Sequence, residues 1–195
     1  MNPLRVGVLV SGRGTNLRAL IDATAARNYP AQIVLVCANK DAEALEHARA
    51  AHIPWAVFHR ADYPDREARD LAMAVHLQQH RAELIVCAGY DEVLHPAFTR
   101  AFPGRIINVH PSLLPAFAGT MDAPARALAA GVKETGCTVH LVTDAVDQGP
   151  VLAHRVVPVV SGDTPARLHA RIQAEEHRLL PEVVRGIAER TIALR

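Results

Sequence analysis

Continuous apolar runs of strand length alternate with amphipathic stretches of helix length along this chain. Runs that are apolar at successive positions are typical of strands buried on both faces of a sheet. The predicted strands are Leu4–Val10, 33–38, 55–58, 84–88, 106–109, 137–142 and 151–159. The predicted helices are 17–26, 42–51, 65–81, Pro96–Ala101, 125–130 and one from Thr164 to about Arg190. This alternation predicts an α/β fold with a Rossmann-like, mostly parallel sheet and helices on both of its faces.

Local signals predict where several helices begin and end. Asp41 and Thr164 are predicted N-caps, because their side-chain oxygens can accept hydrogen bonds from the first N–H groups of a helix. Gly131 is predicted to end the fifth helix. Pro181 is predicted to kink or restart the last one. Residues 110–124 carry no regular pattern and are predicted to be irregular.

Composition narrows the class of protein. Of the 195 residues, 50% are hydrophobic and 21% are charged, which excludes a disordered chain. No apolar run approaches the roughly 18 residues of a membrane span, and the polar residues 11–14 interrupt the first run too early for a signal peptide. Lys and Arg number 21 against 20 Asp and Glu, so the net charge of +1 argues against a nucleic-acid partner. With no linker or repeat, we expect one domain over residues 1–195.

The three cysteines, Cys37, Cys87 and Cys137, lie in separate apolar runs and form no CxxC pair. Free, buried thiols of this kind predict a reducing, cytoplasmic location. Zinc would need clustered Cys and His residues at ligand spacing, and the sequence has no such cluster. We therefore predict no metal site.

The turn after the first strand is the first candidate binding site. Gly12 and Gly14 stand between that strand and the first helix, where backbone N–H groups and the helix dipole attract an anion. A dinucleotide fingerprint would need Gly in place of Leu17 and an acid near Asn39, and a Walker loop would need Gly-Lys-Ser/Thr. The sequence therefore favours a single phosphate, with a tight turn that binds no ligand as the alternative.

A second candidate site lies at the end of the predicted strand 106–109. Asn108 and His110 are two residues apart, so they project from the same face of an extended chain. Ligands of open α/β sheets bind at the carboxyl ends of the strands. An amide donor and an imidazole together can stabilise a developing oxyanion and transfer a proton. A hydrogen-bonded structural histidine is the alternative.

An acidic turn over residues 143–150 separates the last two strands and contains Asp144 and Asp147. A carboxylate beside His110 would orient the ring and favour the imidazolium. The spacing does not choose between the two aspartates, and a solvated turn rich in Asp, Gly and Pro is the alternative. His140 is predicted to lie within a strand, with a local partner.

Nearly the whole chain resembles the formyltransferase-fold family. The similar segments are 8–17, 88–90, 96–98, 107–115, 138–140 and 146–151. The pair Asn108 and His110 with a distant aspartate is shared by the family members that use 10-formyltetrahydrofolate. Pro111, directly after the histidine, is similar to the branch that formylates glycinamide ribonucleotide. Relatives that act on methionyl-tRNA or that hydrolyse the folate usually carry other residues there.

The resemblance implies transfer of the formyl group of 10-formyltetrahydrofolate to the amine of 5-phosphoribosylglycinamide, a step of purine biosynthesis. Asn108 and a protonated His110 would stabilise the tetrahedral intermediate, and Asp147 would orient His110 and favour its cation. The resemblance also implies a monomer or homodimer that acts on small molecules without a metal. Two alternatives are the same chemistry on another amine, such as an amino sugar nucleotide, and a folate- or nucleotide-binding module without turnover.

Binding residues are also implied by the resemblance. The ribonucleotide would contact Gly14, Thr15, Asn16, Gln173 and Glu176. The folate would contact Arg66, Asp91, Glu92, Val93, Leu94, Asn108, Thr143, Asp144, Ala145, Val146 and Asp147. We also expect the domain to divide into a nucleotide-phosphate half over about residues 1–105 and a catalytic and folate half over about residues 106–195.

Two segments depart from the pattern of the family. Asp91 and Glu92 stand where the family often has an apolar residue followed by Arg or Lys, which would suit the carboxylates of the folate. Residues 120–124 replace a loop that usually contains His and borders the active site. We therefore expect altered folate contacts at the first segment and altered substrate contacts at the second.

Overall fold

The computed structural model describes residues 2–120 and 122–194, which contain one sheet of seven strands. The strands are β1 (Leu4–Val10), β2 (Ala31–Ala38), β3 (Trp55–Val57), β4 (Leu84–Cys87), β5 (Ile106–His110), β6 (Glu134–Leu141) and β7 (Val151–Pro158). Their order across the sheet is β3-β2-β1-β4-β5-β6-β7. Strands β1 to β5 pair in parallel, and β6 and β7 are antiparallel to their neighbours. The prediction of a mostly parallel α/β sheet is confirmed.

Helices in the described residues pack on both faces of the sheet, as predicted. They are α1 (Thr15–Thr24), α2 (Ala44–Ala50), α3 (Arg66–Gln79), α4 (Pro96–Ala101), α5 (Ala123–Ala129) and α6 (Pro165–Ala188). One buried apolar cluster includes Leu17 of α1 and Leu180 of α6. A second includes Met73 of α3 and Phe98 of α4. None of the helices in the described part of the chain is long and apolar enough to cross a membrane.

A tertiary contact, rather than a local cap, marks the start of α2. The prediction that Asp41 caps this helix is wrong, because the helix begins at Ala44 and no described side chain accepts a capping hydrogen bond there. The N–H of Ala44 instead donates to the carbonyl of Gly12 over 3.0 Å. The turn after β1 therefore satisfies an N–H group that the local sequence leaves free.

The last helix begins as predicted and differs from the prediction further along. The hydroxyl of Thr164 accepts a hydrogen bond from the N–H of Arg167 over 3.3 Å, which caps α6. The predicted restart at Pro181 is wrong, because α6 is continuous through that residue to Ala188. The carbonyl of Pro181 accepts a hydrogen bond of 2.7 Å from the hydroxyl of Tyr29, which ties the helix to the turn before β2.

Other element ends lie a few residues from their predicted positions. Helix α1 begins at Thr15 rather than at Leu17. Helix α5 begins at Ala123 with Pro124 in its first turn, where the missing N–H of proline costs no hydrogen bond. Strand β6 begins at Glu134, before the apolar run, because pairing with β7 extends the strand beyond its buried part.

The sheet has its topological switch between β1 and β4. The chain leaves β1 toward β2 on one side, and it leaves β4 toward β5 on the other. The loops after β1 and β4 therefore run in different directions. One hydrogen bond of 3.2 Å joins their first residues, from the N–H of Ser11 to the carbonyl of Gly89. Ligand sites of open α/β sheets lie at such a switch point.

Gly14 gives a direct test of this arrangement. Its φ is +73°, and a Cβ built on it would lie 2.5 Å from the Cβ of Ala44. Gly12, two residues earlier, has no heavy atom within 4 Å of the corresponding position. We expect Gly14→Ala to lower the free energy of unfolding by about 2 kcal/mol or more, from left-handed strain and overpacking. Gly12→Ala should change it by less than about 0.5 kcal/mol.

Urea unfolding of both glycine variants at one pH measures this difference. Equal losses of stability in the two variants would contradict the close approach of the turn to α2.

Candidate active site

A cavity of about 470 Å³ opens at the carboxyl ends of β1, β4 and β5. Its volume lies in the range of small-molecule sites. Most of the residues implied as binding residues line it. They are Gly14, Thr15, Asn16, Asp91, Glu92, Val93, Leu94, Asn108, His110, Thr143, Val146, Asp147, Gln173 and Glu176. The structure therefore brings residues from both ends of the chain to one cavity.

Three of the implied folate residues do not line this cavity: Arg66, Asp144 and Ala145. Arg66 is exposed in the first turn of α3. The carboxylate of Asp144 accepts a hydrogen bond of 2.8 Å from the hydroxyl of Thr99 on α4. Of the two aspartates in the acidic turn, Asp144 is therefore bound to α4, and Asp147 lines the cavity.

His110 is buried at the centre of the cavity wall, between two acceptors. Its Nδ1 lies 3.4 Å from a carboxylate oxygen of Asp147, and its Nε2 lies 3.1 Å from the carbonyl oxygen of Phe117. Burial lowers the pKa of His110, and the opposing effects of Asp147 and the Phe117 carbonyl do not cancel this effect. The resemblance implies a protonated His110, and burial disfavours that form of the ring.

Asp147 is an ionised carboxylate held by three groups. The Gly119 N–H donates to it over 2.9 Å, and Nε2 of His140 lies 3.5 Å from its other oxygen. The interaction with His140 lowers the pKa of Asp147 most, and Gly119 and His110 lower it further against the effect of burial. Its backbone has φ +54°, a left-handed conformation that aspartate and asparagine tolerate better than most residues.

Asn108 and His140 face each other across the antiparallel pair of β5 and β6. The amide nitrogen of Asn108 lies 3.2 Å from Nε2 of His140. Nδ1 of His140 lies 2.8 Å from the carbonyl of Leu141 and donates to it, since a carbonyl only accepts. His140 therefore contacts both Asn108 and Asp147. The sequence indicates a strand histidine here, but the contacts depend on the register of β6.

The start of α1 forms another part of the cavity wall. No described side chain caps this helix, whose N-cap is Gly14 in a left-handed conformation. The first N–H groups are thus free to bind an anion. The side-chain amide of Asn16 donates to Glu176 over 2.9 Å, which joins the turn to α6. Burial raises the pKa of Glu176, and the hydrogen bond from Asn16 opposes the rise.

Asp91 and Glu92, the acidic pair that departs from the family's pattern, have cationic and amide partners. The amide of Asn39 donates to both carboxylates over 2.8 Å. Lys40 forms an ion pair with Asp91, and Arg69 donates to Glu92 over 2.7 Å. The acidic pair therefore belongs to a network that joins the cavity wall to α3 and to the loop after β2.

Arg69 is the buried centre of this network. Its side chain has no exposed surface, and its guanidinium donates two hydrogen bonds, of 2.9 and 2.8 Å, to Asp70. The other oxygen of Asp70 accepts from the N–H of His95 over 2.7 Å, just before α4. Burial lowers the pKa of Arg69, but the hydrogen bonds to Asp70 and Glu92 outweigh burial and raise it. Residues 91–95 are thus fixed at several points.

Comparison with known proteins gives the family. A family model described as formyl transferase matches residues 4–184. The chain belongs to this family. It is 46% identical over 186 residues to phosphoribosylglycinamide formyltransferase of Mycobacterium tuberculosis, across 95% of this chain and 86% of the relative. The crystal structure of glycinamide ribonucleotide transformylase 1 from Symbiobacterium toebii aligns with a TM-score of 0.93 and 46% identity, over 96% of this chain and 88% of that chain.

Another similar protein is longer than this chain. The trifunctional purine biosynthetic protein adenosine-3 of Chironomus tentans is 42% identical over 193 residues, which are 97% of this chain and 14% of that protein. The predicted formyltransferase family, its fold and a transferase activity are confirmed. The roles of the individual site residues remain predictions.

Arg69 provides a stability test of the cavity wall. We expect Arg69→Leu to lower the free energy of unfolding by about 3–5 kcal/mol, because it leaves the buried carboxylate of Asp70 without its cation. Arg18→Leu is the matched control on α1, where the pair with Asp22 is exposed. Its effect should stay below about 0.5 kcal/mol. Urea unfolding of both variants measures the difference, and similar losses would show that the buried network does not stabilise the fold.

Proposed function

We propose that this chain transfers the formyl group of 10-formyltetrahydrofolate to the amine of 5-phosphoribosylglycinamide in purine biosynthesis. One observation carries the proposal: a single cavity joins the cluster of Asn108, His110 and Asp147 to the free N-terminus of α1. The cluster can carry out acyl transfer, and the helix terminus can bind the phosphate of the acceptor. The names of the relatives that span nearly all of this chain support the same activity.

The phosphate of the ribonucleotide would bind the backbone N–H groups of Gly14, Thr15 and Asn16. Gln173 and Glu176 line the cavity beside this turn, on the face of α6 that α1 contacts. Hydroxyls of the ribose would donate hydrogen bonds to Glu176, whose carboxyl group is buried and has only Asn16 as a described partner. A phosphosugar would thus satisfy both the helix terminus and this carboxyl group.

The folate would lie between residues 91–94 and the acidic turn. Both segments line the cavity, and Val93, Leu94, Val142 and Val146 supply apolar surface for a flat ring. The carboxylates of Asp91 and Glu92 already have partners, Lys40 for the first and Arg69 for the second. The ring would therefore be held by the backbone of this segment. Arg66 lies outside the cavity, where it could meet only the part of the folate that extends beyond the opening.

In the reaction, the amine of the ribonucleotide would attack the formyl carbon, and negative charge would develop on the formyl oxygen. The side-chain amide of Asn108 lines the cavity and can donate an N–H group to this oxygen. The neutral His110 ring would accept a proton from the attacking nitrogen. In the tautomer that donates Nδ1–H to Asp147, Nε2 would accept this proton once its contact with the Phe117 carbonyl had opened.

The imidazolium of His110 would then return the proton to the departing nitrogen of the folate, so the proton count balances over the two steps. Asp147, 3.4 Å from Nδ1, would stabilise this cation while it exists. The same carboxylate is kept ionised by His140 and by the N–H of Gly119. The lowered pKa of His110 thus favours the neutral ring, which can accept a proton. The carboxylate of Asp147 stabilises the imidazolium that forms for a short time after the proton has been taken up.

Turnover with a panel of amines tests the proposal. Wild-type protein with 10-formyltetrahydrofolate should formylate 5-phosphoribosylglycinamide in preference to amino sugar nucleotides. Asn108→Ala and His110→Ala should each lower kcat by about 10²–10³, because each removes a group that acts on the transition state. Circular dichroism should show that both variants remain folded. Preference for an amino sugar nucleotide, no turnover at all, or unchanged kcat in either variant would each contradict part of the proposal.

The two aspartates of the acidic turn should differ in their effect on the pH dependence. Asp147 raises the pKa of His110 against the larger effect of burial, so Asp147→Asn should lower that pKa further. If neutral His110 is the base, activity rises with pH through its pKa, and the acid limb of the kcat profile should move to lower pH. The plateau of kcat should fall by about tenfold or more, as the charge that stabilises the imidazolium is lost.

Asp144→Asn is the matched control, because Asp144 interacts with Thr99 outside the cavity. Its pH profile should follow that of the wild type. A larger effect from Asp144→Asn than from Asp147→Asn would reverse the assignment.

A further inference from the structure

His169 lies at the phosphate end of the cavity and has no part in the site proposed above. It lines the cavity together with Gln173 and Glu176. These three residues are spaced i, i+4 and i+7 along α6, so they share one face of the helix. That face is directed toward α1, whose first residues line the same cavity. His169 therefore stands beside the turn that would hold the phosphate.

The surroundings of His169 contain a cation and an anion. Arg13, in the turn after β1, lines the same cavity, and Asp122 stands at the N-cap of α5; the charges of both act on the His169 ring. The ring of His47 lies behind Arg13 and contacts its carbonyl over 3.1 Å. Glu176 is engaged with Asn16. The half-buried ring of His169 makes no hydrogen bond to another residue within the described parts of the chain.

These surroundings disfavour the protonated form of the His169 ring in the absence of an anion. Burial lowers the pKa of His169, Arg13 lowers it further, and Asp122 opposes both. A phosphate group placed at the turn would reverse the balance, because its negative charge favours the protonated ring and offsets the repulsion from Arg13. Binding of the phosphate and protonation of His169 would then support each other.

A phosphate dianion at this turn also needs more positive charge than the helix provides. The N-terminus of a helix is equivalent to only about half a positive charge. The chain has two lysines, Lys40 and Lys133, and neither lines the cavity. Lys40 is paired with Asp91. Arg13 and a protonated His169 are the cavity-lining cations at this end among the described residues.

We propose that His169 is a further binding residue for the 5′-phosphate of the substrate, which it contacts as an imidazolium after taking up a proton as the ribonucleotide binds. This inference rests on the proposed function, because it places the acceptor's phosphate at the start of α1. Its consequence is a specific pH dependence. Affinity for the phosphate should be highest below the pKa of His169 in the free protein, and it should fall as the pH rises through the pKa of the ring in the complex.

Proton NMR of the imidazole rings tests protonation directly. The probe is ribose 5-phosphate, which carries the phosphate but lacks the amine that would reach His110. His169→Gln identifies the resonance of His169 by its disappearance, and His177→Gln does the same for His177, which is half-buried on the same helix and does not line the cavity. The probe should raise the pKa of His169 and leave that of His177 unchanged. An unchanged pKa of His169 at saturating probe would overturn the proposal.

Kinetics provide the second test. At about pH 6, His169→Gln should raise the KM for 5-phosphoribosylglycinamide by about tenfold, the effect of losing a charged hydrogen bond. At about pH 8.5, where the wild-type ring is neutral, the two KM values should converge. The KM for 10-formyltetrahydrofolate and the kcat should not change at either pH. His177→Gln, the matched control, should behave as the wild type.

The two tests separate this inference from the proposed function. Turnover of 5-phosphoribosylglycinamide with a wild-type KM in His169→Gln at both pH values would refute the role of His169 and leave the function intact. A raised pKa of His169 in the presence of ribose 5-phosphate, without turnover of any amine, would support the phosphate contact and refute the enzyme.

Discussion

The change of strand direction at β5 is the constraint on which the site depends. This strand pairs in parallel with β4 and antiparallel with β6. The parallel side brings its carboxyl end beside the loops after β1 and β4, where α/β sheets bind ligands. The antiparallel side places His140 opposite Asn108, and the chain that leaves β6 returns Asp147 to His110. Neither arrangement alone would assemble an amide, an imidazole and a carboxylate at one point.

Buried charges connect parts of the chain that lie far apart in the sequence. Asp147 binds the N–H of Gly119 and approaches two histidines, and Arg69 joins α3 to the wall of the cavity. A charge removed from water is costly unless it is paired, so each of these groups restricts where its partners can lie. Because each buried charge needs a partner at a fixed position, these pairs hold the side chains of the cavity in place. Catalysis by prearranged groups requires such fixed positions.

The cavity has different electrostatic properties at its two ends. The start of α1 presents uncapped N–H groups beside Arg13, which suits an anion. The segment that contains Asp91 and Glu92 carries two carboxylates, but Lys40, Asn39 and Arg69 bind them, so they are held within the wall. The start of α1 therefore attracts an anion more strongly than the segment with the two paired carboxylates does.

The sequence by itself determined the sheet and the local placement of several site residues. Apolar runs predicted the strands, because burial on both faces requires apolar residues at every position. The period of two along a strand placed Asn108 and His110 on one face, and the residues around them carried the resemblance to the formyltransferase family, which the matching family model confirms. These properties depend on a few consecutive residues, so they can be predicted without knowing what lies opposite.

Only the tertiary structure decided which distant groups meet. Spacing left Asp144 and Asp147 equivalent, and the packing of α4 separates them, since Asp144 interacts with Thr99 there. The start of α2 is marked by the hydrogen bond from the N–H of Ala44 to the carbonyl of Gly12, and not by a cap from Asp41. The lowered pKa of His110 follows from burial, which no local pattern reports. Hydrogen bonds between residues far apart in the sequence depend on strand register and packing, and so does the burial of an ionisable side chain. A local sequence pattern could therefore predict neither of them.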